Sequence, residues 1–261
     1  MNEVNKTLYI PLYGKAYVSR RGLFLDDKKA EEIWAKNGFP LKGKSKSKWL
    51  AFYMGIRAAV FDSWLRDQTA LMPDAVILHI GCGLDSRVLR VGIRDRKWYD
   101  VDFPEVIEER KHFFSPLPGY EMVPGDARSP DFLAGIPRDG VAIVILEGVS
   151  MYLTARERKA LIAALYSHFR RVSLLMDCYA ELAAKMSKIK NPINDVGVTQ
   201  VYGMDDPETL EREGFVFTKE HTMTPKVYID QLRGAEKAIF RKLYAGSMSK
   251  KLYRLYEYRS N

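Results

Sequence analysis

The sequence has little of what disulfide-stabilised, membrane and metal-binding proteins need. Only two cysteines, Cys82 and Cys178, occur among 261 residues, which is too few for a disulfide framework and favours a reduced, cytoplasmic setting. No apolar run approaches the roughly 20 residues that span a bilayer, and the start of the chain lacks a secretory signal. The four histidines show no zinc or iron spacing, so we expect no metal.

The chain also lacks a charge pattern that selects a partner. The net charge of +8 is compatible with nucleic acid, an anionic membrane or an acidic substrate. Basic residues concentrate at 42–48, 185–190 and 250–259, and we interpret each run as a solvated face or loop. Residues 42–48 alternate lysine with glycine and serine, which predicts an exposed loop.

The order of elements predicts one α/β domain. Apolar periodicity indicates helices at 26–37 and 49–71, before strands and helices begin to alternate. The predicted strands are 75–80, 97–101, 120–123, 141–146, 172–176, 215–218 and 252–258. The predicted later helices are 86–91, one from Pro104, one after Thr154 with a capping box to Glu157, 179–188, 207–213 and 226–244. This pattern is typical of a doubly wound, Rossmann-like sheet of seven strands, the last one antiparallel, with an irregular insertion at 191–206 after strand five. We expect a single domain, 1–261, in which 1–72 form a helical cap and 73–261 the core.

A glycine turn follows the first strand and opens a helix. Gly81 and Gly83 allow a ligand to approach the backbone there. Ser86 stands where a dinucleotide fingerprint has its third glycine, which argues against a diphosphate. Asp102 ends the second strand 19 residues beyond Gly83, where a carboxylate accepts hydrogen bonds from ribose hydroxyls or caps the next helix. Asp126 follows the third strand, where it accepts from an adenine amino group or forms an Asx turn.

Three segments carry a family resemblance: 81–87, 99–106 and 146–153. They resemble the leucine carboxyl methyltransferase family, which includes bacterial O-methyltransferases of the tetracenomycin polyketide type. Segments 22–33 and 57–62 resemble the N-terminal pattern of the same family. The resemblance implies a class I methyltransferase fold and S-adenosylmethionine as cofactor, with S-adenosylhomocysteine as product.

The resemblance also implies roles for particular residues. The turn from Gly81 through Gly83 to Asp85 would hold the methionine part of the cofactor, Asp102 its ribose, and Asp126 with the Ala127 backbone its adenine. The remaining implied contacts are Lys15 and Arg57 to the cofactor carboxylate and Glu147 to its amino group.

The acceptor is less well specified. The chain is shorter after residue 190 than the human-type members, so we expect a small-molecule or peptide acceptor. Transfer to a carboxylate or acidic phenol is favoured because no His–Asp pair marks a general base. Tyr152 is the candidate for orienting the acceptor, with a packed aromatic as the alternative. Residues 191–206 are either a mobile lid, in which Gln200 and Tyr202 contact the acceptor on closure, or a solvent-facing linker.

Three other functions are weighed against this one. A nicotinamide oxidoreductase shares the βαβ start, but Ser86 and the segment after strand four argue against it. A nucleic-acid methyltransferase fits the positive charge, yet Glu147–Ser150 stand where base methyltransferases carry an Asn/Asp-Pro-Pro-aromatic turn. A non-catalytic binding module does not explain intact cofactor motifs. We therefore expect a soluble enzyme with no membrane or nucleic-acid partner.

Overall fold

Seven strands form one sheet at the centre of the molecule. The structure is a computed structural model that describes residues 7–37, 39, 41, 43–92, 96–187 and 200–260. The strands are β1 (Val76–Ile80), β2 (Trp98–Asp102), β3 (Tyr120–Pro124), β4 (Val141–Leu146), β5 (Arg171–Tyr179), β6 (Phe215–His221) and β7 (Tyr253–Ser260). Their order across the sheet is β3-β2-β1-β4-β5-β7-β6.

The strand order reverses between β1 and β4. β1 pairs in parallel with β2 on one side and with β4 on the other, so that Ile80 lies level with both Val101 and Leu146. β7 runs antiparallel to β5 and to β6, which confirms the predicted orientation of the last strand. Ligands of open α/β sheets bind outside the carboxyl ends of the strands at such a reversal. The topology therefore predicts a ligand site at the residues that follow β1, β2 and β4.

Helices cover both faces of the sheet, as the apolar composition of its central strands requires. In β4, five of the six residues are buried, which suits a parallel strand covered on both sides. The helices are α1 (Tyr9–Arg20), α2 (Lys28–Asn37), α3 (Lys48–Leu71), α4 (Arg87–Arg90), α5 (Pro104–Lys111), α6 (Ala155–His168), α7 (Glu181–Ser187), α8 (Lys226–Ile229), α9 (Gly234–Tyr244) and α10 (Ser247–Leu252). The capping box predicted at the start of α6 is present, with Thr154 and Glu157 each bonding the other's backbone N–H.

The N-terminal helices are part of the main hydrophobic core. Leu12 of α1 and Phe52 and Ile56 of α3 belong to the same buried cluster as Ile143 of β4 and Leu255 of β7. Burial of this kind gives roughly 1.5–3 kcal/mol for each large apolar side chain. These contacts fix α1 and α3 against the carboxyl ends of the strands.

The observed elements differ most from the predicted ones at 226–244 and 42–48, and the helix predicted at 207–213 is a 3-10 helix. The helix predicted over 226–244 is broken between α8 and α9, because Gly234 has a φ of +51° that a continuous helix does not allow. The predicted loop at 42–48 contains a 3-10 turn, Gly43–Lys46, in which the Ser45 side chain is buried while Lys44 and Lys46 are exposed. Helices α1 and α10 are not among the predicted elements.

Candidate active site

One cavity of about 770 Å³ opens at the carboxyl ends of β1, β2 and β4 and is closed from above by α1 and α3. Its volume falls in the range of about 300–1,000 Å³ that is typical of small-molecule sites. The nine residues predicted to bind the cofactor, and Tyr152, which is predicted to orient the acceptor, all line it: Lys15, Arg57, Gly81, Gly83, Asp85, Asp102, Asp126, Ala127, Glu147 and Tyr152.

The glycine turn after β1 brings the backbone against Asp102. Gly81 and Gly83 have φ values of +70° and +52°, a region that favours glycine. A Cβ on Gly81 would lie 2.1 Å from Cγ2 of Val149, so a larger residue does not fit there. The turn aims the Gly83 N–H at Oδ2 of Asp102, to which it donates at 2.7 Å.

The Asp102 carboxylate retains capacity for a ligand. Its Oδ1 accepts from the Phe103 N–H at 2.8 Å, so each oxygen holds one backbone hydrogen bond and has lone pairs left. Burial raises the pKa of Asp102 to about 6, against the lowering effect of these two hydrogen bonds. The group is thus ionised at neutral pH, but less firmly than an exposed aspartate.

Lys15 and Asp85 form a buried ion pair between α1 and the glycine turn. Lys15 Nζ donates to Oδ2 of Asp85 at 2.7 Å, and both side chains are at most 5% exposed. Oδ1 of Asp85 accepts from the Arg87 N–H at 2.9 Å and from Nη1 of Arg90 at 3.1 Å. Although burial alone would raise it, the neighbouring Arg87, Lys15 and Arg90 hold the pKa of Asp85 well below its usual value.

Arg57 joins α3 to the ends of β4, β5 and β7. Its Nε donates to Oε1 of Glu147 at 3.0 Å, and its Nη1 donates to the Tyr253 hydroxyl at 2.7 Å and to Oδ2 of Asp177 at 3.2 Å. The Tyr253 hydroxyl donates to the same Asp177 oxygen at 2.5 Å. The partner expected for a charge within this apolar helix is therefore a pair of carboxylates.

Glu147 is held in the ionised form. Against the opposing effect of burial, Arg87 and Arg57 lower its pKa to about 2. Arg87 also donates to Oε2 of Glu147, and its Nε donates to Asp62 at 2.7 Å. The floor of the cavity consequently alternates cations and carboxylates, which suits a ligand that itself carries both charges.

Asp126 lines the cavity within an Asx turn. Its Oδ1 accepts from the Arg128 N–H at 2.9 Å, and the Arg128 guanidinium contacts both carboxylate oxygens. The turn weighed as the alternative for this residue is therefore present. Ala127 lines the cavity beside it.

Tyrosines line the part of the cavity beyond the charged floor. The Tyr53 ring lies 6.0 Å from that of Tyr253, which in turn lies 4.9 Å from Tyr179. Tyr244 lies 6.1 Å from Tyr53 on the other side. Burial and the neighbouring Tyr179 raise the pKa of Tyr152, so its phenol is neutral at physiological pH.

The predicted lid is only partly described. Residues 191–199 lie outside the described residues. Within 200–206, the Tyr202 N–H donates to the Met151 carbonyl at 2.8 Å and the Met204 N–H to the Tyr179 carbonyl at 2.7 Å. In the described part of the chain neither Gln200 nor Tyr202 lines the cavity, and their contact with an acceptor after closure of the lid stays a prediction.

The sequence does not predict the tyrosines of the lining, nor the pairing of Tyr253 with Asp177 behind Arg57. Asp177 lies in β5 beyond the predicted end of that strand, and Tyr253 begins β7, from which it reaches Asp177 across 76 positions. An aspartate within an otherwise apolar strand was the available signal, since a buried carboxylate needs a partner.

His79 is a buried histidine of the cavity lining. His79 lies within β1 with Nε2 3.2 Å from Nη1 of Arg87 and Nδ1 3.4 Å from Oδ1 of Asp100. Among the described residues there is no group of three or more side chains that could hold a metal ion. Nor does the described part contain a helix with the length and apolarity to cross a membrane.

The fold is that of class I S-adenosylmethionine-dependent methyltransferases. It resembles the crystal structure of magnesium protoporphyrin IX methyltransferase from Synechocystis with bound S-adenosylhomocysteine, with a TM-score of 0.52 and 13% identity over 90% of this chain and 100% of that one. Residues 12–166 match the model of the leucine carboxyl methyltransferase family, and the chain belongs to that family.

Two relatives agree with this assignment. The chain is 28% identical over 238 residues to the tetracenomycin polyketide synthesis O-methyltransferase TcmP of Streptomyces glaucescens, covering 90% of this chain and 88% of the relative. It is 28% identical over 183 residues to the S-adenosyl-L-methionine-dependent methyltransferase dpfgK of Gibberella zeae, covering 64% and 61%. The protein is an S-adenosylmethionine-dependent methyltransferase, and the oxidoreductase, nucleic-acid and non-catalytic alternatives find no support.

Proposed function

We propose that this enzyme transfers the methyl group of S-adenosylmethionine to an oxygen of a small molecule with a planar, apolar body, either a carboxylate or an acidic phenol. The observation that carries the proposal is the form of the cavity, which continues from a charged floor into a part lined by Tyr53, Tyr179, Tyr244 and Tyr253. Aromatic walls favour flat rings, which stack on them or meet them edge to face. The name of the relative TcmP, an O-methyltransferase of polyketide synthesis, supports the same chemistry.

The cofactor fits the residues of the floor by charge. In this proposal Asp102 would accept hydrogen bonds from the ribose hydroxyls, and the turn from Gly81 to Gly83 would hold the methionine end. Lys15 and Arg57 would bind its carboxylate, and Glu147 and Asp85 its ammonium group. The alternation of buried cations and carboxylates at these positions supports this arrangement.

The adenine and acceptor ends have less specific support. Asp126 accepts from the adenine amino group through lone pairs that Arg128 leaves unused, with the backbone of Ala127 beside it. Tyr152 is the proposed catalytic residue that orients the acceptor oxygen. Because its phenol is neutral, it acts as a hydrogen-bond donor rather than as a base.

The reaction needs alignment more than proton transfer. An acceptor oxygen attacks the methyl carbon as the carbon–sulfur bond breaks, so an anionic oxygen and a sulfonium become two neutral products. A carboxylate is already ionised at neutral pH, and only a phenol near pKa 10 benefits from a base. His79, the histidine that lines the cavity within the described residues, contacts Arg87 and lies near Asp100. Because both ring nitrogens of His79 lie beside other protein groups, we do not assign it as a general base. Acceptors that ionise without a base are therefore favoured.

The test is methyl transfer from labelled S-adenosylmethionine to a panel of aromatic carboxylic acids, phenols and short peptides with free carboxyl termini. Mild alkali releases methanol from a methyl ester and not from an aryl ether, which identifies the methylated oxygen. We expect transfer to aromatic acids or acidic phenols, and loss of transfer in Asp102→Ala. Transfer to peptides alone, or to nucleic acid alone, would contradict the proposal.

A further inference from the structure

The long helix α3 provides a measure of the length of the cavity. Ser47, which caps the helix, lines the cavity together with Leu50, Met54 and Arg57. These positions are three or four residues apart, so they lie on one face of the helix. Ten residues separate Ser47 from Arg57, a rise of about 15 Å at 1.5 Å per residue. The cavity therefore reaches well past the residues proposed to hold the cofactor.

Lys44 lines the cavity at the end remote from Arg57. It belongs to the 3-10 turn that precedes α3, and its carbonyl accepts from the Ser47 N–H at 3.1 Å. Ser45, the next residue, is fully buried and anchors the turn. The backbone that carries Lys44 is thus fixed just before α3, while its side chain is exposed and lines the cavity.

The charges of the lining differ between the two ends. The other lysine and arginine side chains of the lining have acidic partners: Lys15 pairs with Asp85, Arg57 with Glu147 and Arg128 with Asp126. Within the described part of the chain, Lys44 has no acidic partner. The acidic residues of the lining all lie at or just after the carboxyl ends of β1, β2, β3 and β4, and Asp102 among them is held by backbone N–H groups.

We propose that Lys44 binds a negatively charged group of the acceptor, remote from the oxygen that is methylated. The substrate class is then an elongated, planar molecule with an anion at its far end. An anion beside Lys44 is attracted by its ammonium group at the start of α3, whereas the Arg57–Glu147 pair lies further along that helix, by the rise of about 15 Å between Ser47 and Arg57. A cofactor with groups of both charges matches the paired charges of the floor, and an anionic group of the acceptor matches Lys44, which is unpaired among the described residues.

This inference rests on the proposed function, but a binding experiment tests it separately from turnover. The probe is 4′-hydroxybiphenyl-4-carboxylate, whose phenol and carboxylate lie at opposite ends of a rigid rod, and the comparison is its neutral carboxamide. Each is titrated into the full-length protein saturated with S-adenosylhomocysteine. The variants are Lys44→Met, Lys44→Arg and Lys46→Met, the last being an exposed lysine of the same turn that does not line the cavity.

We expect Lys44→Met to weaken binding of the carboxylate about three- to fivefold, as is typical of a partly exposed ion pair, and to leave the carboxamide unchanged. Lys44→Arg should restore the affinity, Lys46→Met should behave as wild type, and high salt should remove the preference for the carboxylate. Three results would overturn the inference. They are an equal loss of affinity for both probes in Lys44→Met, no loss of affinity for either probe, and no binding of the carboxylate to the wild type. Absence of methyl transfer to any oxygen acceptor would instead count against the proposed function.

Discussion

Arg57 donates a hydrogen bond from its Nε to Oε1 of Glu147 at 3.0 Å, across 90 positions of the chain and with both side chains at most 7% exposed. The same guanidinium contacts Asp177 and Tyr253, so one residue of α3 holds the ends of three strands together. A buried charge that loses its partner is costly, which makes this contact structural as well as electrostatic.

Replacement of Arg57 by methionine should therefore affect both stability and cofactor affinity. Loss of the cation leaves Glu147 and Asp177 with one buried partner fewer, and we expect about 3–5 kcal/mol of destabilisation. Arg57→Lys keeps the charge and should lose less. Chemical denaturation measures the free energy of unfolding, and calorimetric titration with S-adenosylhomocysteine measures the affinity. A stable Arg57→Met protein with unchanged affinity would show that Arg57 neither supports the fold nor faces the cofactor.

Tyr253→Phe isolates the contribution of one buried hydroxyl. The hydroxyl donates to Asp177 and accepts from Arg57, and its loss leaves a buried carboxylate and guanidinium each short of one bond. We expect unfolding to become easier by about 1–3 kcal/mol. Tyr244→Phe is the matched control, because Tyr244 lines the same cavity and its hydroxyl has no hydrogen bond among the described residues. Equal effects of the two substitutions would contradict this reading of the contacts.

Gly81→Ala should lower the free energy of unfolding by more than the strain in the backbone alone explains. Gly22 has a similar φ of +62° and open space around it, so Gly22→Ala reports the cost of the left-handed conformation, about 1–2 kcal/mol. At Gly81 the added methyl also meets Cγ2 of Val149. Combining Gly81→Ala with Val149→Ala removes that clash, and a double-mutant cycle on unfolding free energies should show a favourable coupling. Additive effects would show that the contact with Val149 is unimportant.

Local patterns in the sequence predict the fold well because most of its strands and helices carry a signal within their own residues. The apolar run of β4 and the capping box of Thr154 and Glu157 each carry their own signal, and both are present. Helix α1 carries a weaker one, since Pro11 and Gly14 interrupt its pattern, although a proline in the first turn is tolerated. The gap at 230–233 depends on the backbone of Gly234, which the apolar periodicity around it does not reveal.

The site residues likewise fall into those that a local pattern predicts and those that it does not. Gly81, Gly83 and Asp102 lie within one βαβ unit, so their spacing along the chain reveals their proximity. Asp177 and Tyr253 meet only because β7 pairs antiparallel with β5, with Asp177 opposite Leu255 and Tyr179 opposite Tyr253. Pairing over that distance depends on the whole sheet, and no local pattern of residues encodes it.

The most direct test of the account is calorimetric titration of S-adenosylhomocysteine into wild-type protein and Asp102→Asn between pH 5 and pH 8. Donation from the ribose hydroxyls favours the ionised carboxylate, so binding lowers the pKa of Asp102 below its free value of about 6 and releases a proton when pH is below that value. The wild-type affinity should therefore be level above pH 6 and fall as pH drops through it. Asp102→Asn should bind more weakly by roughly 1.5–3 kcal/mol and lose this pH dependence, while Asp131→Asn, outside the cavity, should match the wild type. Unchanged affinity and an unchanged pH profile in Asp102→Asn would contradict the placement of the cofactor at this carboxylate.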